Sequence, residues 1–270
     1  MSGHPVWYKR YRRRWNNIER ISDRYQVSIE FKKGCVQLET NKTNPNKNII
    51  IQEETPKFPI SLIGKEAGVC WGADTEDKEK NYKRGIDCLK SGHGRTWEYP
   101  QVYVVIDGYS ARMMRELYTH IAGGPTRLQA STRYINYEKG FDYITPASVL
   151  KDPAALKEYE DMMEGIQAHL KKLEELGVPR EDSAMGLPLG MASKMVLRTN
   201  LRNLIDMSHQ RLCTRAYWEY RDFMHDLMNE LSAYSEEWAY LVEHYFVPKC
   251  DLTGFCTEKK CCGRKPKKED

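Results

Sequence analysis

The chain has 270 residues, 40% of them hydrophobic and 30% charged, with 17 Tyr and 6 Trp. It is long enough to bury a core and too apolar for a disordered chain, and a net charge of +4 is too mild to imply a nucleic-acid partner by itself. No apolar run approaches the ~18 residues of a membrane span, and the Arg-rich start lacks the apolar stretch of a secretory signal. The cytoplasm is therefore the expected location. Cys35, Cys70, Cys88 and Cys213 stand singly, as reduced thiols do rather than a disulfide framework.

The first 55 residues read as an N-terminal extension. They hold a basic, aromatic run from Tyr8 to Trp15, an alternating strand pattern over residues 26–31, a polar turn cluster over 41–48 and the β-rich Ile49, Ile50 and Ile51. Basic ends with aromatic neighbours can touch phosphates, but a solvated terminus is the ordinary reading. From Phe58 the pattern becomes that of a core. A helix begins near Ser61, and a charged helix over 77–90 stops at Ser91-Gly92. A strand covers 101–106 and a helix 110–120, which Gly123-Gly124-Pro125 breaks. A strand-like stretch covers 133–143. Residues 153–176 have helical periodicity closed by Gly177. Met195 to Arg198 is short and apolar. Thr199 or Asn200 can cap a helix running to Leu212 and onward, and one long helical pattern covers 218–245. Helices separated by a few strands indicate an α+β domain over residues 56–247.

The helix after Asn200 has an unusual distribution of polarity. Leu201, Ile205, Ser208, Leu212 and Ala216 form its core stripe. Asn200, Asn203 and Arg211 share a second face, and Arg202, Asp206 and His209 a third. Two polar faces suit a helix set between a core and bound polar ligands, or between subunits. A solvated helix with local ion pairs is the alternative.

Four stretches carry a resemblance. Residues 199–221 read TNLRNLIDMSHQRLCTRAYWEYR, residues 129–134 QASTRY and residues 91–98 SGHGRTWE. The fourth stretch is Gly177-Val178-Pro179-Arg180-Glu181, followed by Leu187-Pro188-Leu189. In their order along the chain they are similar to the flavin-dependent thymidylate synthase family. The resemblance implies mixed helices packed on a small antiparallel sheet, a homotetramer with sites between subunits, and methylation of dUMP. It also implies FAD as cofactor, with NADPH and methylenetetrahydrofolate as co-substrates and no cysteine nucleophile. Such chemistry needs stabilisation of charge that builds on the uracil carbonyls. By position, Arg211 matches the arginine at the uracil ring and is the catalytic candidate; its planar fork stays charged and addresses two acceptors. Gln129, Ser131, Thr132 and Arg133 match the dUMP-binding end of the signature. His93, Arg95, His120, Asn200, Arg202 and Asp206 match the FAD contacts, with Glu98 bracing its own element.

The sequence also departs from that pattern. An Arg-His-Arg triplet reads Thr119-His120-Ile121 here, and the arginine before the Leu-Pro pair is Ala184. The N–H groups of Gly123 and Gly124 can bind anions in place of side chains. Arg127 is a candidate substitute on the FAD side, and Arg112 or Arg115 on the dUMP side. The altered loop keeps open a relative acting on another pyrimidine nucleotide; a nucleic-acid module explains none of the four stretches. Residues 248–270 read as a Cys/Lys-rich tail. No metal is expected, although Cys250, Cys256, Cys261 and Cys262 cluster closely enough to leave zinc, free thiols or redox pairing open.

Overall fold

The computed structural model describes residues 46–137 and 140–268, with the backbone of 29–32 and 35–38. Two compact units divide the chain, Met1–Thr43 and Asn44–Asp270. In the first, β1 (Ile29–Lys32) pairs antiparallel with β2 (Cys35–Leu38). The strand pattern read over 26–31 overlaps β1. The basic run from Tyr8 to Trp15 lies outside the described residues.

The second unit is α+β. Its sheet has four antiparallel strands in the order β3-β4-β6-β5. β3 (Asn48–Ile51) comes from the segment read as an extension and pairs with β4 (Gln101–Ser110). Between them lie α1 (Pro59–Cys70) and α2 (Lys78–Lys90). Phe58 offers α1 no side-chain cap. The carboxylate of Glu237 does so from a distance, accepting from the N–H groups of Ile60 at 2.7 Å and Ser61 at 3.0 Å. On α2, Asp77 caps locally by accepting from Lys80 N–H.

β4 has a bulge that sets up the site. Its register slips between Asp107 and Tyr109, with Gly108 at φ +74° and so close to the Asn46 carbonyl that a Cβ would lie 2.6 Å from it. Beyond the bulge Tyr109 packs edge-on against Phe223. Ser110 then caps α3 (Ala111–Leu117) by accepting from Met113 N–H at 3.0 Å. This helix ends three residues earlier than the sequence pattern suggests.

β5 is Thr126–Gln129, and the strand expected over 133–143 does not form. β6 (Ala192–Asn200) pairs with 126–129, residues 131–135 fold into a turn closed on the Ser131 carbonyl, and of the later stretch Tyr143 makes a single antiparallel bridge, to Met191 just before β6. The β-like signal of the later stretch came from aromatic residues, whose strand preference reflects packing rather than pairing. Phe141 and Tyr143 stack edge-on in a chain reaching Tyr159. α4 (Ala147–Leu150), α5 (Pro153–Glu175) and α6 (Arg180–Ser183) follow, with Asp152 capping α5.

β6 leads directly into α7 (Leu201–Arg211), for which Asn200 is the cap. The helix stops at Arg211 rather than continuing. α8 (Trp218–Tyr234) and α9 (Glu236–Tyr245) replace the single helix expected over 218–245. Ser235 leaves helical geometry (φ −161°, ψ 161°), and its hydroxyl caps α9. α10 (Lys249–Thr253) lies in the tail.

The core fills one face of the sheet. Val102, Val104 and Ile106 of β4, with Met195 and Leu197 of β6, meet Leu201, Leu204 and Ile205 of α7 and Phe223, Met224 and Leu227 of α8. Burying each such side chain contributes about 1.5–3 kcal/mol. On the other face the ladder aligns Ile50, Val105, Val196 and Leu128 in one row across all four strands. Ile50 and Leu128, at its two ends, are 49% and 70% exposed. Among the described residues no helix is long and apolar enough to cross a membrane.

Candidate active site

The C-terminal ends of α3 and α7 converge on Arg211. Its Nε donates to His120 Nε2 at 3.0 Å, and Nη2 donates to Thr119 Oγ1 at 3.2 Å. The same Nη2 stands 3.3 Å from a carboxylate oxygen of Glu116. The guanidinium also lies over the Tyr220 ring, 4.7 Å from its centroid. Three polar partners and an aromatic face orient the group, while Nη1 makes no hydrogen bond to a described residue. Thr119 stands where the family resemblance called for an arginine. Its hydroxyl accepts from Arg211, which a second guanidinium would repel.

His120 is buried, with its ring 5.8 Å from that of Tyr220. Burial, then the charges of Arg211 and Arg127, hold its pKa down at about 4. The imidazole is therefore neutral at pH 7. Because Nε2 accepts from Arg211, the ring proton belongs on Nδ1. Arg127 reaches back from β5 to the carbonyls of Leu117 and His120, closing the end of α3, and it stacks 5.1 Å from the Tyr118 ring. Its Nε and the hydroxyl of Tyr220 are buried without a partner among the described residues. Burial pushes the Tyr220 phenol up, so it stays protonated.

The turn after α7 is held by the WEYR segment. Arg221 Nη1 donates to the carbonyl of Thr214 and, at 3.5 Å, to that of Ala216. Glu219 is fully buried and accepts from the Ser110 N–H at 2.7 Å, the Ser110 hydroxyl, and the Tyr217 hydroxyl at 3.1 Å. One carboxylate thus ties the cap of α3 to the start of α8, and with it both helices that carry the Arg211 cluster.

The loop from His120 to β5 packs on the start of α7. Gly123 has φ +70°, and a Cβ there would lie 2.0 Å from Asn200 Nδ2. Only glycine tolerates both constraints. Asn200 Oδ1 accepts from Asn203 N–H, and Asn203 Nδ2 donates to Thr199 Oγ1, each at 2.8 Å. Arg198 Nη2 donates to Thr126 Oγ1 at 3.0 Å. Beside this junction lies a more exposed group. Arg202 Nη1 is 2.7 Å from Glu98 Oε1, and Arg95 Nη1 is 3.4 Å from Glu98 Oε2. Glu98 therefore braces Arg202 as well as its own turn. Gly94 lies against the Arg202 guanidinium, and the buried Trp97 Nε1 is unpartnered among the described residues. His93 and Asp206 are exposed.

Gln129 Nε2 donates to Ser193 Oγ at 3.2 Å, and Ser131 Oγ accepts from Arg133 N–H at 3.3 Å. Arg133 turns instead to Glu181, at 3.0 Å. Ser131 and Thr132 are half-buried and Arg115 is exposed. Arg112 lies over the Tyr217 ring, 4.8 Å from its centroid. Among the described residues no group of three His, Cys, Asp or Glu side chains is arranged to hold a metal.

Arg211, His120, Arg127, Asn200 and Arg202 are candidates in the sequence that stand in these two groups of contacts, whereas Tyr220, Glu219, Glu116 and Thr119 join them with no role legible in the sequence. A signal for Glu219 was present: it opens the apolar i, i+4 stripe continued by Phe223 and Leu227. A carboxylate on a core stripe is buried with donors or not at all.

Comparison with known proteins defines the class first. Residues 51–235 match the family model of the thymidylate synthase complementing protein. Over 200 residues the chain is 30% identical to a flavin-dependent thymidylate synthase of Nitratidesulfovibrio vulgaris, covering 70% of this chain and 79% of that one. Over 221 residues it is 30% identical to a flavin-dependent thymidylate synthase of Pyrococcus horikoshii, covering 76% and 88%. The chain belongs to the flavin-dependent thymidylate synthase family.

The residues present fit a flavin dinucleotide. Arg202 and Arg95 offer cations for a pyrophosphate, and the Gly123 turn over Asn200 brings backbone close to the start of α7. The unpartnered Tyr220 hydroxyl adds a donor within the Arg211 cluster.

Proposed function

We propose that the chain carries out the reductive methylation of dUMP to dTMP, with FAD as cofactor, methylenetetrahydrofolate as carbon donor and NADPH as reductant. Bound flavin, once reduced, supplies the hydride. His93, Arg95, Asn200, Arg202 and Asp206 would hold it, with His120 and Arg127 fixing the loop beside them. Gln129, Ser131, Thr132 and Arg133 would receive the nucleotide, with Arg115 as a further cation; Arg133 must then exchange Glu181 for its ligand.

The observation that carries this reading is the fixed guanidinium of Arg211, with Nη1 uncommitted among the described residues. A preorganised cation lowers the barrier where charge develops on a uracil carbonyl, because it need not reorient during reaction. Neutral His120 contributes by accepting from Arg211 without competing for the anion. With its pKa near 4 it leaves the cation count of the site unchanged across the physiological range.

The row Ile50, Val105, Val196 and Leu128, exposed at all but the half-buried Val105, supports the homotetramer reading, since a second copy laid on it would cover apolar area left open in one chain. Light scattering should return four copies, and V196E should reduce that number.

The direct test of function is a spectrum. The purified protein should be yellow, NADPH should bleach it faster with dUMP present, and the product should have the mass of dTMP. A colourless protein that takes up no FAD on refolding would remove this reading.

A further inference from the structure

The tail beyond Pro248 folds back toward α7, and together they enclose a cleft of about 440 Å³. Its lining carries five cations: Arg211, Arg215, Lys249, Arg264 and Lys265. Three carboxylates answer them. Glu116 pairs with Arg211, and Arg215 stands 4.0 Å from Glu258. Asp251 accepts from Arg264 Nε and Nη2, the latter at 2.6 Å, and lies 3.6 Å from Lys265 Nζ. Arg264 holds the Asp251 carboxyl below the usual range. Lys249 is exposed and stands in no ion pair with a described residue. Two positive charges therefore remain in excess on a concave surface, where low-dielectric walls concentrate the field.

The segment is tied in place. Cys256 is buried, its N–H donating to the Pro266 carbonyl at 2.7 Å and its carbonyl accepting from Lys268 N–H at 2.9 Å. The two arms of the tail thus form a closed loop pinned by Asp251, presenting Lys249 and Lys265 to the cleft that ends at Arg211. The family match stops at residue 235, so this wall lies outside the matched region.

We propose that the tail is a positioning element for an anionic reactant: Lys249, Arg264 and Lys265 receive an oxyanion, phosphate or carboxylate, of a molecule whose other end reaches Arg211. The kinetic part of its test rests on the function proposed above. That oxyanion has three sources, namely the nucleotide phosphate, the glutamyl carboxylates of the folate, and the 2′-phosphate of the reductant.

The experiment compares the full chain with K249E/K265E and with a control of equal charge change, K259E/K260E, whose lysines do not line the cleft. The first double variant should raise KM about tenfold for one reactant with kcat unchanged. A rise for dUMP names the nucleotide phosphate. A rise that grows from folate mono- to triglutamate names the carboxylates, and one seen with NADPH but not NADH names the 2′-phosphate. The control should leave all three unchanged. If both variants behave alike, or neither moves any KM, the proposal is overturned. A second readout needs no turnover. Cys262 lines the same cleft, and its alkylation by iodoacetamide, followed by peptide mass, should be slowed by tripolyphosphate or by a triglutamate peptide in the unmodified chain and not in K249E/K265E. Absence of protection by either probe overturns the cleft even if the chain makes no dTMP, and protection without dTMP formation supports the cleft while removing the function.

Discussion

Two groups of charged residues border α7, and they are built on opposite principles. At its C-terminal end Arg211 is 18% exposed in its side chain and held by a histidine, a hydroxyl, a carboxylate and an aromatic face. At its N-terminal end Arg202 is 48% exposed and touches Glu98, which it shares with an 86% exposed Arg95. Burial makes each contact of the first group stronger, and makes any missing partner costly. Exposure makes the second group cheap to rearrange, because water screens the pairs and replaces them when a ligand arrives. One end is thus preformed for chemistry, and the other is free to exchange partners on binding.

The contrast is broken most forcefully at Arg211. R211M should lower kcat by about 10²–10³-fold, the loss seen when one preorganised donor is removed from a charge-stabilising site. The chain should still fold. If turnover survives undiminished in a steady-state assay, the buried end is structural and the division between the two groups fails.

Next in size is Glu219, which supports the buried end without touching it. E219A strips partners from the Ser110 N–H and hydroxyl in a fully buried setting. A loss of about 3 kcal/mol in urea-monitored stability is expected. A change below about 1 kcal/mol would mean that water reaches Ser110, and that the two helix ends are not joined through this carboxylate.

His120 sharpens the comparison through pH. Its folded pKa of about 4 lies below the ~6.5 of an unfolded histidine, so the unfolded chain binds the extra proton first as pH falls. Its contribution is complete above pH 6.5 and is lost between 6.5 and about 4, in total about 2–3 kcal/mol. Stability curves of the native chain and H120N should diverge in that window and run parallel above it. Parallel curves throughout would place His120 in contact with water.

What the sequence revealed divides along the same line. Element types were legible where periodicity was long or a cap was present, as in the helix over 153–175 and the Asn200 cap of α7. The 133–143 stretch misled because Phe141 packs on Tyr143 and Tyr143 on Tyr159, with a single bridge from Tyr143 to Met191 in place of a ladder. The break at Ser235 was hidden because the apolar pattern runs on through it. At the site, charged residues in motifs were readable as candidates. The contacts that immobilise Arg211 come from positions 116, 119, 120 and 220, separated by up to 104 residues, and no local pattern encodes that closure.

The smallest effects belong to the exposed end. R202A should weaken flavin affinity about tenfold, yet change the stability of the flavin-free chain by less than about 0.5 kcal/mol, the ordinary worth of a solvent-exposed pair. E98Q should shift apo stability as little and flavin affinity only by a few fold, because it releases both arginines instead of removing one. Titration followed by flavin fluorescence separates the two variants. Should R202A destabilise the apo chain by 2 kcal/mol or more, a range typical of buried contacts, then Arg202 is locked as firmly as Arg211, and α7 carries two rigid ends instead of one rigid and one adaptable.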